Sequence, residues 1–159
     1  MACMIGAMAK ATRAPEDSLD PVLDFMRLLW RIEHGLQATS KRMDARLGIT
    51  GPQRLVLKLV TQFPGLSAGD VARVLHLHPS TVTGILQRLV EKELLVRDAD
   101  RHDTRRARLR PRPGAARLAR RSAETVEAAV AVVLDRTPPV RIRHARAVLQ
   151  AIAGALDEA

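Results

Sequence analysis

Apolar positions along the chain recur at helical intervals in six stretches, and two short runs between them read as strands. In "SLDPVLDFMRLLWRIEHGLQATSKRMDARLG", Val22, Leu29, Leu36 and Met43 stand seven residues apart, with Met26 and Leu47 on the neighbouring row. This narrow seam predicts a long helix packed on another helix, with Asp20 as its cap, Pro21 in its first turn and Gly48 at its end. "ITGPQRLVLKLVTQFPG" repeats the device: Thr50 caps, Pro52 sits early, and Leu55, Val56, Leu59, Val60 and Phe63 make a wide stripe before Pro64-Gly65 stops it. In "LSAGDVARVLHL", Ser67 and Asp70 have capping-box spacing, and Val71, Val74 and Leu75 form the inner face of a short helix.

The next helix opens at "HPSTVTGILQRLVEKELL". Val82, Ile85, Leu86 and Leu89 point inward there, leaving Ser80, Thr81, Thr83, Gln87 and Arg88 outward. "LLVRD" and "RARLR" are short strands flanking a turn over Asp98–Thr104. One helix is predicted from about Pro113 to Arg136, and a last one, after the break at Thr137-Pro138-Pro139, carries Ala145, Val148, Leu149, Ile152 and Leu156 at helical spacing. The fold class is mainly α with a small β-hairpin wing (α+β): a winged helix-turn-helix core with long N- and C-terminal helices. Residues 1–17 read as a loose tail, 18–47 as an N-terminal dimerisation helix, 48–112 as the winged core, and 113–159 as C-terminal helices completing the dimerisation part.

Charge changes the picture. Of the formal net charge of +9, the segment Arg97–Arg121 holds +7, with ten arginines against Asp98, Asp100 and Asp103. Such concentration opposes a compact state by self-repulsion unless a polyanion is the partner. Aromatic residues make up only 2% of the chain, which disfavours single-strand binding on aromatic stacking platforms. The one cysteine, Cys3, excludes a disulfide framework and a cysteine-rich zinc site. No apolar run approaches the roughly 20 residues of a membrane span, so no membrane role is expected.

A helix that enters the major groove needs an outer face that is small and polar. Ser80, Thr81 and Thr83, just after Pro79, are short hydrogen-bonding groups near a helix N-terminus, where phosphate oxygens are favoured. Gln87 and Arg88 are long enough to reach base edges or the DNA backbone. A solvated amphipathic helix would look similar in isolation; the arginine hairpin that follows selects the duplex-DNA reading.

At this point the sequence resembles a family. "SAGDVARVLHLHPSTVTGILQRLVEKELLVRDADRHDTRRARL" looks like the winged core of the MarR family of bacterial transcription regulators, and the likeness extends over roughly residues 20 to 157. The family's S-T-V-T run and its D-x-x-D-x-R wing are both present, whereas Glu93 stands where a glycine often precedes the strand. The resemblance implies Asp100, Asp103, Arg105 and Arg106 as the matching wing positions, with Arg105 entering the minor groove, Asp103 orienting it and Arg106 as the fallback; Arg97, Arg101 and Arg108 of the same arginine-rich hairpin are further candidate DNA contacts. A guanidinium suits that narrow, negative groove, and a carboxylate fixes a flexible side chain beforehand.

One recognition helix reads only a few base pairs, so a regulator of this size is expected to pair across a two-fold axis. The resemblance implies that terminal helices interlock between subunits, through Val22, Leu29, Val148, Leu149, Ile152 and Leu156. It also implies release by a small lipophilic or aromatic-acid effector, for which Trp30, Arg31, His34 and Phe63 are the candidate pocket; the plainer reading makes Trp30 core and Arg31 and His34 surface or dimer contacts. His76 and His78 complete a turn or touch phosphate, since two histidines without carboxylates make a weak metal site. No cofactor, metal or catalytic constellation is expected. The sequence-level expectation is a sequence-specific double-stranded DNA-binding regulator, a repressor, acting as a homodimer on a pseudo-palindrome in the bacterial cytosol at the nucleoid. Alternatives are an effector-independent DNA-binding protein and a basic RNA- or ribosome-associated protein.

Overall fold

The structure, a computed structural model, describes residues 19–99, 107–120 and 123–158. It contains α1 (Pro21–Leu47), α2 (Gly51–Gln62), α3 (Ala68–Leu75), α4 (Pro79–Glu91), β1 (Leu95–Ala99), β2 (Ala107–Pro111), α5 (Pro113–Ala119), α6 (Val126–Asp135) and α7 (Pro139–Asp157). The chain divides into two units between Gly35 and Leu36, within α1. In the first, α1 begins as its sequence directs: the Asp20 carboxylate accepts from the Val22 and Leu23 amides. Its apolar side chains there are largely open, with Val22, Phe25, Met26 and Trp30 all exposed.

The second unit holds the core. Ile49, Val56, Leu57, Val60, Val71, Val82, Leu86, Leu89, Leu95, Leu109 and Ala115 form one buried cluster, which draws α2, α3, α4, both strands and α5 together. Helix starts follow the predicted chemistry. Thr50 with Gln53, and Ser67 with Asp70, each make a reciprocal capping box. Gly48, at φ 66°, ends α1, a conformation that glycine adopts without the Cβ clash. The strands pair antiparallel, with Arg97 opposite Leu109 and Asp98 opposite Arg108. The Gly65 amide donates to the Leu109 carbonyl, and the Leu109 amide donates to the Leu66 carbonyl, so the base of the hairpin is bound to the α2–α3 connection.

Three expectations need correction. The buried face of α2 is Gln53, Arg54, Val56, Leu57 and Val60, while Leu55 and Phe63 are exposed, so the stripe is rotated toward Leu57. In α3, Ala72 is buried with Val71 and Val74 is exposed, because the small side chain is the one that lets α3 lie close on the core. The single helix expected over residues 113–136 is two: α5 ends at Ala119, and α6 starts after Thr125, whose buried hydroxyl accepts from the Ala128 amide.

The break has a cause that apolar periodicity does not carry. Arg54 lies 1% exposed on α2. Its guanidinium donates to the carbonyls of Leu118 and Arg120 at the C-terminal end of α5, and to the Glu127 carboxylate on α6. The carbonyls at a helix end lack intrahelical partners, and a buried cation needs acceptors; each supplies the other. Lys58 joins from the same helix, its ammonium 3.8 Å from Glu127. No residue of α6 or α7 is buried. Burial alone would raise the Glu127 pKa, but the Arg54 hydrogen bond, a backbone hydrogen bond and the charges of Arg54 and Lys58 together hold it below its usual value.

Arg54→Ala should therefore destabilise the protein by about 3 kcal/mol in chemical unfolding, the range for breaking a buried ion pair; a loss below about 1 kcal/mol would contradict the clamp. Because the folded pKa of Glu127 is depressed, its contribution is present above the unfolded pKa and is lost as pH falls. The stability gap between wild type and Glu127→Gln should accordingly close on acidification below about pH 4.5.

Candidate DNA-binding surface

The helix-turn-helix is assembled from two short caps. His76 ends α3 in the left-handed conformation at φ 51°, and His78 caps α4, its Nδ1 accepting from the Ser80 amide at 3.3 Å. Both histidines thus complete the turn. The Ser80 hydroxyl lies 2.7 Å from the same ring nitrogen. On α3, hydrogen bonds from the Ser67 hydroxyl and backbone, and then from Arg73, bring the Asp70 pKa down to about 2.

Helix α4 buries Val82, Leu86 and Leu89, and its opposite face is open. Pro79, Ser80, Thr81, Thr83, Gln87 and Arg88 are all exposed. The Thr83 hydroxyl donates back to the Pro79 carbonyl (2.9 Å), which leaves its oxygen able to accept, and the Gln87 amide donates to Glu91 (3.1 Å). At the far end, the Lys92 ammonium donates to the Gly48 carbonyl and to Gln53 Oε1, anchoring the end of α4 to the α1–α2 junction. Glu93 follows at φ 56°, a left-handed conformation at the position where a glycine often stands in the family. That turn brings the Leu94 amide back onto the Leu89 carbonyl just before β1 begins.

In the hairpin, Arg97 and Arg108 are exposed, and Arg110 pairs with Asp98 at 3.2 Å. Arg97 and Arg73 line a cleft of about 530 Å³ with Ser67, Asp70 and Leu109, so cationic groups sit between α3 and the base of the hairpin. Asp100, Arg101, Asp103, Arg105 and Arg106 lie outside the described residues. The recognition-helix candidates and the base of the wing thus belong to one unit. Of the effector-pocket candidates, Trp30, Arg31 and His34 are exposed on α1, and Phe63 is exposed at the end of α2; Trp30 is therefore not core. The clefts of about 430 Å³ beside α6 have other linings, one with Lys58 and Glu127, the other with Thr39, Arg42 and Arg46. Sequence reasoning did not single out Arg54, Lys92 or Gly84, the last being exposed in the middle of α4.

Residues 47–106 match the model of the MarR family. The chain is 30% identical over 125 residues to the HTH-type transcriptional repressor Rv2887 of Mycobacterium tuberculosis, covering 77% of this chain and 88% of that protein. The chain belongs to the MarR family. It is a DNA-binding transcription regulator. The repressor Mb2911 of Mycobacterium bovis matches to the same extent. Among solved structures, Staphylococcus aureus MepR in a DNA complex aligns with a TM-score of 0.69 at 22% identity, over 83% of this chain and 97% of that one. PcaV of Streptomyces coelicolor, in complex with its natural ligand, aligns at 0.70 and 24%, over 87% of this chain and 98% of that one. These structures share the winged-helix fold with this MarR protein. Among the described residues no helix is long and apolar enough to cross a membrane.

The left-handed turn at Glu93 sets a test. A non-glycine residue there costs about 1 kcal/mol, partly offset by the entropy that glycine loses on folding. Glu93→Gly should be at least as stable as wild type, whereas Glu93→Val should unfold about 1 kcal/mol more easily because a β-branched residue resists positive φ. Equal thermal midpoints for the two variants would contradict the turn geometry.

Proposed function

We propose that this MarR-family regulator is a repressor that binds a pseudo-palindromic operator as a homodimer and is released by a small-molecule effector. The observation that carries the DNA reading is the exposed polar face of α4, formed by Ser80, Thr81, Gln87 and Arg88, turned directly away from the core and flanked by the cationic hairpin. In this reading α4 lies in the major groove. Arg105 enters the flanking minor groove with Asp103 as its orienter and Arg106 beside it, while Arg97, Arg101 and Arg108 meet phosphates. The protein's work is binding, not catalysis, and its place is the bacterial cytosol, at the nucleoid.

A second copy is supported by the open apolar surface of the terminal helices. Val22 (68%) in the first unit, and Leu149 (50%) and Leu156 (69%) in the second, are large apolar side chains open to water, which a second copy would cover. Leu29 and Ile152 are half-buried in the single chain, and Val148 is exposed. The effector reading draws support from PcaV, a protein of the same fold solved with its natural ligand. Trp30, Arg31, His34 and Phe63 are the groups through which an aromatic acid would act.

Selection of bound duplexes from a random pool at physiological salt should return an inverted repeat with half-sites about one helical turn apart. Arg105→Ala should lose any A·T preference at the flanks of that repeat. Enrichment of no sequence, with affinity that only decays with salt, would leave non-specific polyanion binding and move RNA to the front. Leu149→Asp should sediment as a folded monomer, since that side chain is exposed in the single chain; an intact dimer would refute the interface.

A further inference from the structure

The recognition helix carries a glycine where helices least tolerate one. Gly84 lies in the interior of α4, between Pro79 and Glu91, and a glycine there is about 1 kcal/mol worse than alanine. Among the described residues no neighbour explains it. A Cβ built on Gly84 would meet no atom within 4 Å, and the residue is exposed. At Gly48 and Gly65 a positive φ accounts for the choice, and at Gly51 the Ser40 side chain stands 3.3 Å from an added Cβ; Gly35 in α1 and Gly154 in α7 share the open surroundings of Gly84 but lie outside the helix-turn-helix.

The position of Gly84 on the helix is informative. Ser80 and Thr81 precede it by four and three residues, and Gln87 and Arg88 follow by three and four, so all five share one face with Gly84 at its centre. Val82, Leu86 and Leu89 hold the opposite side in the core. The bare backbone is therefore the point of α4 that projects furthest from the protein between two pairs of polar side chains. A DNA groove about 12 Å wide barely admits a helix with its side chains, and removing the central one lets the axis sink deeper. Deeper seating brings Ser80 and Thr81, which are short, within reach of base edges that they would miss from a shallower helix.

We propose that Gly84 is a specificity-determining residue of the operator interface: its missing side chain sets how deeply α4 seats in the major groove. This rests on the DNA-binding reading above. It extends that reading to a residue whose contribution is the absence of atoms, and it makes a prediction of opposite signs.

Gly84→Ala should raise the thermal midpoint by roughly 2–4 °C, because the helix improves and no neighbour is displaced. The same variant should bind the selected operator at least about tenfold more weakly. Its affinity for non-specific duplex and its salt slope should stay at wild-type values, since no charge changes. Gly84→Leu should bind the operator more weakly still while remaining folded. A residue with a merely structural role would lose stability and affinity together. Wild-type operator affinity in both variants, with an operator that wild type does select, would overturn the role of Gly84 alone. Failure of wild type to select any operator would overturn the regulator reading and this inference with it.

Discussion

The buried guanidinium of Arg54 is the interaction on which the arrangement of the second unit depends. A charge enclosed to 1% exposure is tolerable only when its donors are matched, and here they are shared among two helix-end carbonyls and one carboxylate. Those acceptors belong to α5 and α6, while the arginine belongs to α2, whose Val56, Leu57 and Val60 sit in the same cluster as Leu86 and Leu89 of α4. A continuous path therefore runs from α5 and α6, through one cation, to the back of α4. No side chain of α6 is fully buried, and its Glu127 carboxylate supplies the ion pair to α2.

The proposed binding face inherits its order from that scaffold. Helix α4 is held at its start by the His78 cap, along its length by three core side chains, and at its end by the hold of Lys92 on the Gly48 carbonyl. A face anchored at three places loses little conformational freedom on meeting a ligand, which favours affinity. The surface it presents is small and polar in the middle and cationic toward the hairpin, which suits a grooved polyanion better than an apolar protein partner.

Much of this was legible in the sequence. The cap at Thr50, the capping box at Ser67–Asp70, the proline-led starts of α1, α2 and α4, and the inward face of α4 are local signals; each appears where its residues lie, with Val82, Leu86 and Leu89 buried and Ile85 half-buried. What escaped was non-local. Arg54 belongs by periodicity to a polar position, and only partners more than sixty residues away turn it into a core residue. The break between α5 and α6 escaped with it, since alanines and arginines there have no intrinsic objection to helix. Within the binding face, a reading that looks for groups able to make hydrogen bonds passes over a glycine. The tip of the wing, where the resemblance is most specific, lies outside the described residues, so Asp103 and Arg105 rest on sequence and family alone.

The central claim is that a symmetric pair of winged-helix units holds duplex DNA through α4 and the hairpin. Hydroxyl-radical cleavage of a selected operator bound by the full chain tests it most directly. The account predicts two sets of protected sugars related by a dyad, each marking a major-groove contact with a flanking minor-groove contact, about one helical turn apart. A single protected set without symmetry, or uniform protection along the duplex, would contradict it.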